Sequence, residues 1–378
     1  MTQDVSDFVN SRIRTTPRTF TYGEGPWGSK RLRTAMSNHI NKYLQPFSSV
    51  RPDDLVFANG ITSLCELFGY AIGSPGDGIL ISRPCYQAFP SDFGAKAGIK
   101  CVFVPFGDVD QFSVAAVHNY EEALLAAREA GTNVRALLLC NPHNPLGRCY
   151  PLETTKALMQ LCKKYSLHLL SDEVYALSVF SPSLTPFTSV LSFDSSPYIS
   201  PDRLHVVYGM SKDFAAGGLR LGCLYSRNRA LLEAVSAVSQ FSWSGPVSQL
   251  FATQMLEDEE WKSGFLAKST RVLKEKYENC TRVLDERGIE YSSGSNAGFF
   301  LWVSSDIATA PKRFFTFWHF SLCCLCSLKS ILANGNTGQL QALLRHDCPQ
   351  RRMGSRRRTC GKIAREQSLH HKGLAVAS

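Results

Sequence analysis

The sequence predicts an α/β fold: a mostly parallel sheet with helices on both faces, followed by a smaller α+β unit that looks incomplete. Three observations carry the prediction. Short apolar runs alternate with helix-period segments between residues 55 and 226, the βαβα rhythm of a parallel sheet. The run at 134–140 is almost continuously apolar, the pattern of a parallel strand covered on both faces, and 167–171 reads as another buried strand. After Asn228 the rhythm gives way to long helical segments and one late apolar run.

Residues 1–20 are polar and mixed, with no strong period. Tyr22-Gly23-Glu24-Gly25-Pro26-Trp27-Gly28 is a turn-rich loop. Leu32, Met36, Ile40 and Tyr43 fall at helical spacing and predict a helix over 29–44, ended by Pro46. A strand at 55–58 runs into Asn59-Gly60-Ile61-Thr62-Ser63 and an apolar helix to residue 72. Ile79-Leu80-Ile81 is a short buried strand that leads to Arg83-Pro84-Cys85-Tyr86. Strands follow at 100–105, 134–140, 167–171, 204–208 and 222–226, with helices at 114–130 and 152–165. The Ser/Pro-rich stretch 181–202 reads as a loop. Helices are expected at 230–240, 246–257 and 261–287, then strands at 289–291 and 297–303.

Beyond residue 305 the character changes. Residues 314–328 are rich in Phe and Cys, and arginines cluster at 351–352 and 356–358. The change is what a shifted reading frame or a mis-predicted exon would produce. Rival readings are a nuclear-targeting or RNA-binding tail, or a membrane segment at 314–328, short for a span at about 15 residues. The expected division is 1–48 (arm and helix, part of the small domain), 49–228 (large domain), 229–305 (small domain) and 306–378 (a poorly ordered basic tail).

The chain has 378 residues, 44% hydrophobic and 19% charged, enough for two domains. Its charge of +9 is uneven: residues 311–378 hold 12 Lys+Arg against 2 Asp+Glu, and residues 1–310 hold 29 against 30. The body is neutral, so no nucleic-acid partner is expected. Among the 13 cysteines the one Cys-x-x-Cys spacing is Cys323 to Cys326, without a second pair for a metal. Free thiols point to a reducing compartment, here the cytoplasm. No signal core or body span suggests a membrane.

Lys212 follows the apolar run at 204–208, an odd place for a charge unless it is paired or used. In such sheets ligands gather beyond the carboxyl ends of the strands. Loops 59–63, 141–147, 172–175 and 209–220 are therefore candidates for one site. Ile61 and Thr62 at a helix start, with Arg220, suit a phosphate. Tyr86 offers a face for a ring, and Asp172 a carboxylate for a ring nitrogen. Asn144 and Tyr175 can hydrogen-bond a phenolic oxygen. Lys212 can form a Schiff base and shuttle a proton. Together these suit pyridoxal phosphate. Each part also has an ordinary explanation as a helix cap, a Pro-rich turn or a packed ring; their joint appearance after strands has none.

Asn-Pro-x-Asn-Pro-x-Gly at 141–147, Ser-Asp-Glu-Val-Tyr at 171–175 and Ser-Lys-Asp-Phe at 211–214, with Arg220 eight after the lysine, resemble the class I/II aminotransferases. These are pyridoxal-phosphate (PLP) enzymes of fold type I. Tyr-Gly-Glu-Gly at 22–25 and Gly-Leu-Arg-Leu-Gly at 218–222 look most similar to the aminocyclopropane-carboxylate-synthase-like proteins of fungi. The resemblance covers residues 20–305. It implies Lys212 as the Schiff-base lysine, Asp172 at the pyridine nitrogen, Asn144 and Tyr175 at the phenolic oxygen and Tyr86 as the stacking ring. Ile61 through its backbone, Thr62 and Arg220 would hold the phosphate. It further implies an amino-acid substrate and a homodimer.

Three departures stand out. The phosphate-binding serine that many relatives carry three residues before the lysine is Gly209 here, with Ser211 as substitute. The family's N-terminal segment, with a loop over the substrate, is expected to be lacking. No Gly-x-x-Arg-hydrophobic match for the arginine that grips the substrate carboxylate follows Val303. The motifs leave three functions open: transamination through Lys212, a lyase reaction (aminocyclopropane-carboxylate formation or C–S cleavage), or an impaired homologue that still binds the cofactor.

Overall fold

A computed structural model describes residues 1–303 and the backbone of 304–305 and 313–316. In chain order the elements are α1 (Thr2–Arg12), α2 (Lys30–Tyr43), β1 (Leu55–Ala58), α3 (Ile61–Ile72), β2 (Gly78–Ser82), α4 (Phe89–Gly94), β3 (Lys100–Val104), α5 (Ala116–Glu129) and β4 (Val134–Cys140). Then come α6 (Leu152–Tyr165), β5 (His168–Asp172), β6 (Leu204–Gly209), β7 (Gly222–Ser226), α7 (Arg229–Val238), α8 (Pro246–Glu257), α9 (Glu259–Asp285), β8 (Trp302–Ser305) and β9 (Arg313–Thr316).

The first seven strands form one sheet in the order β1-β7-β6-β5-β4-β2-β3. Only β7 runs against its neighbours, pairing antiparallel with both β1 and β6. The carboxyl ends of β1, β2, β4, β5 and β6 therefore share one edge. Alternate strand residues face opposite layers, as the pleat requires. Leu137 and Leu139 join a core that takes Leu158 and Met159 of α6 and Leu32, Met36 and Ile40 of α2. Ala136 and Leu138 join a second core with Leu64 and Phe68 of α3 and Leu231, Leu232 and Val235 of α7. The result is three layers with apolar strands between two helix sheaths.

The apolar stripe of α2 is buried at Leu32, Met36 and Ile40, each stabilising the fold by about 1.5–3 kcal/mol. Ser29 caps it, its Oγ accepting from Leu32 N–H at 3.2 Å, an arrangement that contributes about 1 kcal/mol.

Four local expectations change. The polar stretch 1–20 contains α1, whose single buried residue is Phe8, so no period was there to read. Phe8 packs on Trp261 of α9 at 4.5 Å between ring centroids. The short α4 starts with Pro90 in its first turn and is too brief to show a helical period. The apolar run 297–303 is not one strand: it turns at Gly298, whose N–H donates to Ser178 O at 2.9 Å, and only its end belongs to β8. Residues 289–291 make a single bridge, Tyr291 to Val303. Within the expected tail, β9 pairs antiparallel with β8. The other expectations for 306–378 lie outside the described residues.

At the sheet edge β7 meets the start of α3. A Cβ on Gly222 would lie 2.9 Å from the Gly60 carbonyl carbon and 3.0 Å from Ile61 N. Both neighbours are backbone, so they cannot step aside. Gly222→Ala is expected to destabilise the protein by about 1–3 kcal/mol, read from urea unfolding. An unchanged midpoint would show that the two elements are not in this contact.

Candidate active site

The carboxyl edge of the sheet holds a cavity of about 800 Å³. All nine residues singled out from the sequence line it, delivered by five different strand-end loops. Ile61 and Thr62 follow β1, Tyr86 follows β2, and Asn144 follows β4. Asp172 ends β5, with Tyr175 one turn later. Ser211, Lys212 and Arg220 lie between β6 and β7.

One wall is suited to a phosphate. Gly60 precedes α3 and has no side chain to cap its first-turn amides. Arg220 packs over that bare backbone: a Cβ on Gly60 would fall 2.5 Å from its Nη2. Gly217 O fixes the guanidinium by accepting from Nη1 at 3.1 Å. At position 209 a Cβ would lie 2.7 Å from Leu221 O, so in this strand pair a serine does not fit without a shift of β7. Ser211 is the hydroxyl that reaches the cavity from this loop.

The opposite wall carries the titratable groups. Burial raises the Asp172 carboxyl to about 6, opposed by the Val174 N–H and by the charge of Lys212. Val174 N–H donates to Asp172 Oδ1 at 3.3 Å. Burial likewise lowers the Lys212 amine, with Asp172 working against it and Arg220 adding to it. Each charge keeps the other ionised in a desolvated place. Lys212 Nζ sits 5.8 Å from the Tyr175 ring centroid and 5.5 Å from that of Phe299. Burial pushes the Tyr175 hydroxyl well up, so it stays protonated. Asn144 Nδ2 donates to Tyr175 OH at 3.5 Å, while its Oδ1 is buried without a partner.

Among the cavity residues that the sequence did not single out are Phe299 and Asp92. Phe299 reaches the site because the chain turns at Gly298. Asp92, on α4, is raised to about 6 by burial and pulled back by Arg220. Its one signal was a carboxylate six residues after Tyr86, in a helix too short to show a period.

The arrangement offers an anion cradle, a carboxylate, a partly desolvated amine and hydroxyl and amide groups around one space. Among the described residues no cluster of His, Cys, Asp or Glu could hold a metal, and no helix is long and apolar enough to cross a membrane.

The family profile "Aminotransferase class I and II" matches residues 10–315. A probable inactive 1-aminocyclopropane-1-carboxylate synthase-like protein 2 of Mus musculus is 31% identical over 76% of this chain and 50% of its own length. A 1-aminocyclopropane-1-carboxylate synthase of Nicotiana tabacum is 30% identical over 73% of this chain and 56% of its own. The probable aminotransferase tcpI of Claviceps purpurea is 34% identical, over 72% and 64%. The chain thus spans about half the length of several curated relatives it matches. A Thermus thermophilus aspartate aminotransferase mutant has the same fold, with a TM-score of 0.66 and 20% identity, over 82% of this chain and 74% of that one. The chain belongs to the class I and II aminotransferase family.

Proposed function

We propose that this chain is a PLP-dependent enzyme acting on an amino acid, most simply an aminotransferase. The observation that carries the reading is the meeting of Lys212 with eight other residues, from five strand-end loops, around one cavity. The residues present fit the cofactor. The uncapped start of α3 beside Arg220 fits a phosphate, and the unpartnered Asn144 Oδ1 marks a wall with hydrogen-bonding capacity in reserve.

Ile61 N–H, Thr62, Ser211 and Arg220 would hold the phosphate, and Tyr86 would cover a ring face. Asn144 and Tyr175 would bind the phenolic oxygen, Asp172 would pair with the ring nitrogen, and Lys212 would attach the group covalently. When bound, PLP supplies an electron sink for the carbanion left at the amino acid's α-carbon. Lys212 Nζ, its basicity lowered by burial, takes and returns the α-proton. Asp172 stays ionised above about pH 6 and holds a proton on the ring nitrogen.

Relatives named 1-aminocyclopropane-1-carboxylate synthase favour a second reading, elimination from the same α-carbanion. Relatives named probable inactive favour a third, cofactor binding with impaired turnover. The proposal includes a cytoplasmic homodimer, and exposed Phe20, Tyr22 and Phe241 offer apolar area that a second copy would cover. It keeps 49–228 as the cofactor-binding domain, with 1–48 and 229–305 as the smaller one.

Purified protein should bind PLP with a visible absorbance band that Lys212→Ala abolishes. A keto-acid product supports transamination, and release of a thiol or methylthio group supports elimination. A band without turnover on a panel of amino acids supports the third reading. A folded protein with no band sinks all three.

Cofactor affinity should also fall as pH drops through about 6, because protonated Asp172 can no longer pair with a protonated ring nitrogen. Asp172→Asn should bind about 10–100-fold more weakly and lose this pH dependence. The same slope in the variant would assign it to another group.

A further inference from the structure

We propose that Asp213 is a positioning residue: its carboxylate clamps the turn that carries Lys212 to the turn that carries Tyr175, keeping the lysine amine in its water-poor place on the cavity wall. Asp213 is 1% exposed and has three donors. Ser178 Oγ–H donates to Oδ1 at 2.5 Å, Leu177 N–H to Oδ2 at 3.0 Å, and Tyr208 O–H to Oδ2 at 3.0 Å. The Tyr208 hydroxyl in turn lies 3.2 Å from His39 Nε2 of α2.

These bonds tie three pieces of the site together. Residues 177–178 belong to the turn closed by Ser178 N–H to Tyr175 O at 2.9 Å. Ser178 O accepts from Gly298 N–H at 2.9 Å, which places Phe299 beside Tyr175, with ring centroids 5.4 Å apart. On the other side Lys212 O accepts from Ala215 N–H at 3.0 Å, and Ala215 is left-handed at φ 51. A non-glycine residue holds that conformation only where its surroundings enforce it. The Asp213 carboxylate is the side-chain group between the two turns that accepts from both flanks.

Burial is the largest cause of the lowered Lys212 amine, with Arg220 adding to it and Asp172 and Cys140 opposing it; Tyr175, Tyr86, Asp92 and Lys276 line the same cavity. Asp213 itself is raised to about 7 by burial, against Ser178, the Leu177 amide and Tyr208. Burial keeps His39 neutral, with Lys262 working in the same direction and Glu259 against it. If the clamp opens, water reaches Lys212 and its amine rises toward the ordinary lysine value. If Asp213 acted only as a nearby negative charge, its removal would lower that value instead.

Only the choice of Lys212 as the group worth positioning rests on the proposed function. The test needs no cofactor. The full chain, stripped of cofactor, is labelled with an amine-reactive reagent from about pH 6 to 10, and the Lys212 peptide is followed by mass spectrometry with Lys163 as control. Asp213→Asn offers one acceptor oxygen to three donors. The variant should move the Lys212 labelling midpoint upward by about one pH unit and leave Lys163 unchanged. Ser178→Ala, which loses one bond, should move it in the same direction by less, and it decides the matter if Asp213→Asn does not fold. An unchanged or lowered midpoint in a folded variant overturns the inference. Absence of PLP binding would overturn the proposed function and leave this result standing.

Discussion

Asp172 and Lys212 face one desolvated space at the carboxyl edge of the sheet. Burial drives both toward their neutral forms, and each partly restores the other's charge. Such a pair is costly to build and destabilising to break, so the surroundings must hold its members in place. The sheet fixes Asp172 by ending β5 there, with Asp172 paired to Cys140 and Val207. Lys212 lies in a turn outside the sheet. Its position depends on side-chain bonds, chiefly those of Asp213, and on the aromatic wall of Tyr175 and Phe299.

The same edge explains the anion cradle. Because β7 runs against the other strands, it returns the chain from Lys212 directly beside the start of α3. Gly222 lets the two backbones touch, and Arg220, two residues earlier, falls over Gly60. The reversed strand thus brings the cation of Arg220 to the amides that Gly60 leaves uncapped. The close pairing also bears on position 209: the approach of Leu221 O leaves room only for glycine, and the hydroxyl that this loop brings to the cavity is that of Ser211.

What the sequence reveals and conceals follows from the range of each interaction. Strands such as β1 and β4 were legible because burial on both faces leaves a continuous apolar run. Eight of the nine residues singled out were legible because they end such a run or follow it within a few positions, and Arg220 stands just before β7. Helix α1 was not, since it buries one side chain and owes its place to a ring of α9, more than 250 positions away in sequence. The run 297–303 misled because Phe299 and Phe300 pack on Tyr175, and only Trp302 and Val303 enter a strand. Asp213 was visible only as part of a motif, and its role depends on Ser178 and Leu177, 35 and 36 residues away.

Family membership rests on the match over residues 10–315; the chemistry rests on Lys212. The most direct measurement is borohydride reduction of the protein loaded with PLP, followed by peptide mapping. A single reduced pyridoxyl adduct on the peptide containing Lys212 is the predicted result. An adduct spread over surface lysines, or none on that peptide in a folded and loaded protein, would contradict it.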